Sequence, residues 1–174
     1  MTGESPELCP AGVVGAPGAP GVVFSERELQ ELPIDPGVLV MQPDRGTVLV
    51  NIETVAYTVA AEQRFDTEVL STPVTVWVAP VEYRWEWGEG TSFTTTNPGA
   101  RWPDHTVWHV YPHATAPEET RAITLTTVWA AEFSVAGGPV WPVSGQAVTA
   151  LTTDPFTVIT ARTYLTDGSE IGRG

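Results

Sequence analysis

The sequence predicts an all-β fold built from antiparallel sheets, and three observations support this. Hydrophobic residues make up 42% and charged residues only 17% of the 174 positions, and threonine and valine supply much of the remainder, as is typical of β-sheets. Short segments of alternating apolar and polar residues are separated by turns rich in glycine and proline. One segment, residues 81–87, stops directly at a glycine-rich turn, as strands of antiparallel sheets do. We therefore expect an antiparallel β-sandwich.

The chain divides into four parts by composition. Residues 1–22 form a Gly/Pro-rich tail, because four prolines exclude a regular helix there and large apolar residues are few. Residues 23–36 form a short helix and a linker. Residues 37–166 form the sandwich, and residues 167–174 form a C-terminal tail.

The helix is expected over residues 24–32. Ser25 and Glu28 have the spacing of a capping box, in which each side chain bonds to the backbone N–H of the other residue. Pro33 follows the last helical residue and cannot continue the helix.

From residue 37 onward the pattern predicts strands and turns, with residues 90–104 mostly loop. Pro80 is expected to break the run that precedes the aromatic strand. Strands are predicted over residues 38–42, 47–51, 53–60, 64–70, 73–78, 81–87, 106–111, 121–135, 140–143, 146–153 and 156–165.

The central strand carries an alternating aromatic pattern. Its period of two places three aromatic rings on one face and three charges on the other, and we expect Trp85 to be the central core residue. At least one glycine of the following turn should have a positive φ. The aromatic residues are Tyr83, Trp85 and Trp87, the charged ones Glu82, Arg84 and Glu86, and the turn is Gly88, Glu89 and Gly90.

These residues resemble the polycystic-kidney-disease (PKD) domain, an immunoglobulin-like β-sandwich. Its strand reads Tyr-x-Trp-Asp-Phe-Gly-Asp-Gly and is followed by a His-x-Tyr segment and a long alternating strand. The chain has YRWEWGEG at 83–90, HVY at 109–111 and AITLTTVW at 122–129, in the same order. The chain departs from the family pattern at three points. Glutamates occupy both Asp positions, Trp87 occupies the usual Phe position, and the segment between Gly90 and His109 is longer than in the family. The resemblance covers residues 74–135 and implies that His109 and Tyr111 belong to the sandwich, with His109 hydrogen-bonded inside it.

A wider likeness, over residues 24–165, is to actinobacterial envelope or secreted proteins that carry a PKD-like domain and have no assigned activity. It implies an extracellular or cell-surface location, although no signal peptide is visible in the sequence. The function expected from it is a non-catalytic module that mediates protein–protein contacts or adhesion.

The net charge of the chain disfavours some classes of binding partner. The formal net charge is −13, and all eight basic residues are arginines. Such an acidic surface disfavours nucleic acid and anionic lipid, and no apolar run approaches the ~18 residues of a membrane span. We expect a protein partner or self-association, with a polysaccharide as the alternative, and neither nucleic-acid binding nor membrane insertion.

Two sets of residues are candidates for a catalytic or metal-binding site. Glu86 and Glu89 lie too close in sequence to flank a cleft as a glycosidase pair, and Glu89 between two glycines fits turn stabilisation, with a bound Ca²⁺ as the lesser alternative. The histidines at 105, 109 and 113 lie ~13 Å apart on an extended chain, too far to share one zinc ion. We therefore predict no enzyme, no cofactor and no tightly bound transition metal.

Seven tryptophans leave a second kind of site open. Trp102, Trp108 and Trp141 lie near turns or strand ends, and exposed rings there would stack on sugars as in carbohydrate-binding modules. The alternative is that they fill the space between the sheets. The single cysteine, Cys9, cannot form an intrachain disulfide. It is either a free thiol or forms a disulfide with another chain. A third function, as a filament, coat or virion subunit, would use residues 1–22 for assembly through an intermolecular contact.

Overall fold

The structure is a computed structural model that describes residues 22–161. The predictions for Cys9, for the tail up to residue 21 and for the C-terminal tail at 167–174 lie outside these residues. The boundaries drawn at 22, 36 and 166 stay predictions.

The described chain is mostly β-strand with antiparallel sheets and has a single short helix, as the sequence predicts. The helix is α1 (Glu26–Glu31). The strands are β1 (Val38–Gln42), β2 (Thr47–Leu49), β3 (Glu53–Val59), β4 (Gln63–Val69), β5 (Thr72–Glu86), β6 (Ser92–Thr95), β7 (Trp108–Val110), β8 (Thr124–Val135), β9 (Val140–Pro142), β10 (Ala147–Thr152) and β11 (Thr157–Ile159).

The strands form three sheets. One has the order β1-β3-β7, and a six-stranded sheet has the order β10-β8-β5-β4, with β6 paired to β5 and β9 paired to β8. The third joins β2 and β11, which run parallel. This parallel pair departs from the antiparallel expectation. Because β2 and β11 are separated by more than a hundred residues, no short hairpin sets their relative direction.

The predicted capping box is confirmed. The Ser25 hydroxyl accepts a hydrogen bond from the Glu28 backbone N–H, and the Glu28 carboxylate accepts one from the Ser25 N–H at 2.6 Å. Leu29 is the buried residue of this helix, which ends directly before the extended Leu32.

The prediction that Pro80 breaks the strand is wrong, because β5 runs unbroken from Thr72 to Glu86. Pro80 lies between the residues paired with β4, which end at Val78, and those paired with β6, which begin at Tyr83. At this position neither the pairing with β4 nor the pairing with β6 requires a hydrogen bond from the backbone N–H that proline lacks. Buried positions are even-numbered up to Val78 and odd-numbered from Tyr83, so the alternation changes phase at this proline.

Residues 90–104 are mostly loop, as the sequence predicts, but they contain one short strand. Ser92–Thr95 form β6, which pairs back on the aromatic part of β5 and places Phe93 opposite Trp85. The turn between them is closed by the Trp87 N–H, which donates to the Thr91 carbonyl at 3.1 Å. The glycine-rich turn thus closes a hairpin.

The described chain divides into two compact units, and β5 and β8 contribute residues to both. Unit 1 comprises residues 22–34, 62–79 and 129–147. In it, Phe24 packs against Phe133 with ring centroids 6.0 Å apart. Gly145 leaves room for the Glu26 side chain, whose carboxylate accepts from the Gln146 N–H at 3.3 Å.

Unit 2 comprises residues 35–61, 80–128 and 148–161. One hydrophobic cluster fills it, and its side chains come from β1 and β3 on one side and from β5 and β8 on the other, with β2 and β11 adding Val48 and Val158. Trp85, the predicted central residue, is fully buried. Two sheet surfaces that share one core are what a sandwich requires.

Candidate binding surface

The predicted aromatic motif forms one connected cluster inside unit 2. Trp85 and Trp87 stack with centroids 6.3 Å apart, and Trp87 stacks on His109 at 5.1 Å. The His109 ring meets Tyr111 edge-on at 4.7 Å. The charged residues that alternate with these rings on β5 are exposed or half-buried, as the period of two predicts.

Polar contacts tie the turn after β5 to β7. His109 Nε2 lies 2.7 Å from Glu89 Oε1, and because a carboxylate only accepts, this nitrogen donates. The Tyr111 hydroxyl donates to the Trp87 carbonyl at 2.9 Å. Glu89 therefore holds the turn through His109, and both carboxylate and imidazole are used in a structural contact.

Burial raises the pKa of Tyr111 above its ordinary value, and the nearby Glu89 carboxylate raises it further, while Arg121 acts in the opposite direction. The hydroxyl consequently stays protonated at neutral pH and remains a donor. Burial also raises the pKa of Tyr83.

Both glycines of the turn have positive φ, 78° at Gly88 and 83° at Gly90, which confirms the turn prediction. They differ in their surroundings. A Cβ on Gly88 would lie 2.7 Å from the Ala122 carbonyl oxygen, whereas a Cβ on Gly90 would meet nothing within 4 Å.

The three histidines do not meet at one site. His105 Nε2 contacts Glu53 Oε2 at 3.0 Å, His109 contacts Glu89, and His113 is exposed. Within residues 22–161 no group of three or more His, Cys, Asp or Glu side chains is arranged to hold a metal ion. The expectations about metals and cofactors stay predictions.

The face of the β1-β3-β7 sheet that points away from the core carries a different set of residues. Paired residues on neighbouring strands share a face, and the register places Gln42, Val55 and Trp108 in one row across the three strands. The neighbouring row, with Met41 opposite Ala56, belongs to the core. Trp108 is 49% exposed on this outer face.

The connection between β6 and β7 lies over the same face. The Trp102 backbone N–H donates to Gln42 Oε1 at 2.9 Å. Gln42 is at one end of the row and Trp108 is at the other, so the loop is bound to the end opposite Trp108. Gly99 (φ 82°) approaches β3 so closely that a Cβ would lie 2.6 Å from the Ala56 carbonyl oxygen. Trp102 itself is 64% exposed, and Val55 below the loop is buried.

His105 fixes the far end of this loop. Its Nδ1 lies 3.2 Å from the Pro103 carbonyl and its Nε2 lies 3.0 Å from the Glu53 carboxylate on β3. The loop that presents Trp102 is thus held to β1 at Gln42 and to β3 at Glu53.

We call this region the Trp102–Trp108 surface. It consists of Gln42, Trp102 and Trp108, which the hydrogen bond of Trp102 and the strand register connect. Of the three tryptophans predicted to face a ligand, Trp102 lies on the loop over this face and Trp108 on the face itself, and both are exposed. Trp141 lies on β9 in unit 1 and is half-buried.

Four exposed charged residues close in sequence to Gln42 or Trp102 make no ion pair in the part of the chain that the structure describes. Four described arginines bind a carboxylate, and they are Arg27, Arg64, Arg84 and Arg121. Of the arginines within residues 22–161, Arg45 and Arg101 alone have no such partner. Asp44 and Asp104, next to them in sequence, are likewise exposed and make no ion pair within residues 22–161.

A cavity of about 300 Å³ lies in unit 2. Asp44, which follows β1 by two residues, lines one wall of it. The opposite wall is formed by the segment Thr153, Asp154 and Pro155. The sequence analysis missed Gln42, the polar member of the Trp102–Trp108 surface, because no motif marks it.

No protein-family model, curated protein or solved structure matches the chain. Within residues 22–161 no helix has the length and apolar character needed to cross a bilayer.

Proposed function

We propose that the chain is a non-catalytic, PKD-like module of the extracellular space or cell envelope, and that it mediates adhesion or protein contacts through the Trp102–Trp108 surface. The observation that carries the proposal is the pair of exposed indoles on one sheet face. Exposed aromatic rings grouped at one place are a feature of interaction sites, whereas single exposed apolar residues are ordinary.

The PKD-like assignment is supported by the way the motif packs. Trp87, Glu89, His109 and Tyr111 contact one another directly, as a motif that stabilises one sandwich would. The Glu89 carboxylate and the His109 imidazole are hydrogen-bonded to each other and hold the turn after β5 against β7.

Further exposed apolar residues extend the same outer face. Val38 and Val59 are paired across β1 and β3 and are 59% and 64% exposed. Each lies four residues from Gln42 or Val55 on the same strand, so both point away from the core. A partner seated on the tryptophans could also cover these valines.

The alternative of a filament, coat or virion subunit depends on residues 1–22, nearly all of which lie outside the described chain. It stays a prediction.

The test is adhesion of the purified chain to envelopes isolated from the source cells, measured by co-sedimentation. The double variant Trp102→Ala/Trp108→Ala should lose binding, and Trp141→Ala, a matched tryptophan deletion in unit 1, should keep it. Localisation is checked by fractionating cells and probing each fraction with an antibody. Equal binding by the double variant and the intact chain would refute the proposed surface.

A further inference from the structure

We infer that β1 binds an extended, basic segment of a partner protein as an additional strand. The segment would add to the open edge of β1, which is the edge that faces away from β3. This site differs from the Trp102–Trp108 surface, because it uses backbone groups of β1 and the cavity beside them. Three observations carry the inference: the direction of the hydrogen bonds of β1, the position of the cavity and the charge of its lining.

The hydrogen bonds of β3 show which backbone groups of β1 are unpaired. β1 is the last strand of its sheet and pairs only with β3. The Ala56 N–H donates at 3.1 Å to the carbonyl of Val107, which directly precedes β7 on the other edge of β3. The Thr58 N–H likewise donates to the Pro98 carbonyl at 2.9 Å. Since successive residues direct their backbone groups to opposite edges of a strand, the odd-numbered residues of β3 are those that bond to β1.

Two residues of β1 therefore direct their backbone groups to the open edge. The odd-numbered residues of β3 are paired with Val38, Val40 and Gln42, which use their N–H and C=O groups inside the sheet. Leu39 and Met41 lie between them and point the other way. Within residues 22–161 these two N–H and two C=O groups have no hydrogen-bond partner. Met41 is only 9% exposed, and buried backbone groups without partners are destabilising, so a strand that supplied the partners would be stabilised there.

The cavity of about 300 Å³ borders this open edge. Three consecutive residues of β1, Leu39, Val40 and Met41, line it, and their side chains belong to both faces of the strand. Of the residues that the structure describes, none that lines the cavity belongs to β3. A space that touches both faces of β1 but not its partner strand lies along the free edge. An added strand would lie between β1 and the opposite wall, residues 153–155.

β1 lacks the features that usually prevent the addition of a strand. Edge strands in natural proteins commonly carry charges, prolines or bulges. β1 reads VLVMQ, and each of its residues has a partner in β3, so it has none of these. β4, an edge strand of the six-stranded sheet, shows the usual protection with Arg64, Asp66 and Glu68. β10 is uncharged as well, but none of its residues lines the cavity. An unprotected edge is how several protein domains bind extended peptides.

The lining of the cavity determines which segment fits. Asp44 and Asp154 are the only charged residues among the described ones that line it, both are exposed, and neither makes an ion pair within residues 22–161. Arg45 follows Asp44 in sequence but does not line the cavity. A second copy would bring another net charge of −13 and a β1 without a basic side chain. A segment with lysine or arginine instead places a cation beside the two carboxylates.

The first experiment tests whether the edge is open in the intact chain. Amide hydrogen exchange is followed by NMR at several protein concentrations. We expect the Leu39 and Met41 amides to exchange at least about tenfold faster than those of Val40 and Gln42, because only the latter two donate within the sheet. Equally slow exchange would mean that the edge is already covered, by the chain itself or, if protection rises with concentration, by a second copy. Either result would overturn the inference.

The second experiment tests the chemistry of the partner. The intact chain is immobilised and offered three pools of synthetic ten-residue peptides, random in valine, threonine and serine except for two positions fixed as lysine, glutamine or glutamate. We expect the lysine pool to be retained best and the glutamate pool least. Lysine peptides with every backbone nitrogen methylated keep their charge but cannot donate to the edge carbonyls, so they should not be retained. Equal retention of the three pools, retention of the methylated peptides, or no retention at all would overturn the inference.

Variants and exchange then locate the bound peptide. Asp44→Asn and Asp154→Asn keep the size of the side chain and remove its charge, and each should weaken binding of a retained lysine peptide roughly two- to fivefold, as loss of an exposed ion pair does. The matched control is Asp104→Asn, an exposed aspartate outside the cavity lining, which should bind as the intact chain does. The bound peptide should also slow exchange of the Leu39 and Met41 amides. Unchanged exchange at both amides would place the peptide elsewhere and overturn the inference.

Discussion

Removing the Trp85 side chain should test the core of unit 2 directly. Trp85 is fully buried and stacks on Trp87. A buried indole removes about 150–250 Å² from water, which at about 25 cal/mol per Å² amounts to roughly 4–6 kcal/mol. Measured Trp→Ala replacements in cores cost about 3–5 kcal/mol. The Trp85 Nε1–H makes no hydrogen bond in the described chain, so its removal also relieves a buried unpaired donor and moves the expected cost toward the lower half of that range.

The assay is urea unfolding followed by far-ultraviolet circular dichroism, since the substitution itself alters tryptophan fluorescence. A loss of about 3–5 kcal/mol corresponds to a lowering of Tm by roughly 6–20 °C for a chain of this size. The matched control is Trp102→Ala, the same replacement at a 64% exposed position, which should change the unfolding free energy by no more than about 0.5 kcal/mol. Equal losses in the two variants, or an unchanged Tm in Trp85→Ala, would contradict the core assignment.

Gly88→Ala should destabilise more than Gly90→Ala in thermal melts, because both positions have positive φ but only the Cβ at Gly88 would clash with the Ala122 carbonyl. Ser25→Ala removes the cap of α1 and should cost about 1 kcal/mol in urea unfolding. The raised pKa of Tyr111 means that the unfolded state loses this proton first, near pH 10, so the stability that this group contributes is full below that pH and falls as the pH rises above it. Tyr111→Phe should flatten this alkaline loss in unfolding measured between pH 9 and 11; identical slopes would contradict the burial argument.

Much of the local structure followed from the sequence because the signals were strictly local. The period-two alternation around Trp85 depends only on strand geometry, and the structure buries each of its three aromatic residues. The capping box of Ser25 and Glu28 and the positive φ at Gly88 are likewise set within a few residues. These elements are predictable because local chemistry and tertiary packing favour the same conformation.

The errors arose where a partner strand decides the outcome. Pro80 reads as a strand breaker, yet β5 runs through it, and the residue lies between the segment of β5 paired with β4 and the segment paired with β6. Ser92–Thr95 reads as loop, yet the hairpin turn brings it back on β5. The parallel pairing of β2 and β11 joins segments far apart in sequence, and no local pattern records which distant strands will meet.

The same reasoning explains why the exposed tryptophans are tied to the buried motif. On β7, His109 faces the core because Glu89 and Trp87 hold it there. Side chains alternate along a strand, so the position of His109 obliges Trp108 to point outward, and a slip of one residue would exchange the two. The contacts that stabilise unit 2 therefore also set the direction of one of the two exposed indoles of the Trp102–Trp108 surface. The sequence contained this coupling, but it could be read only once the face of His109 was known.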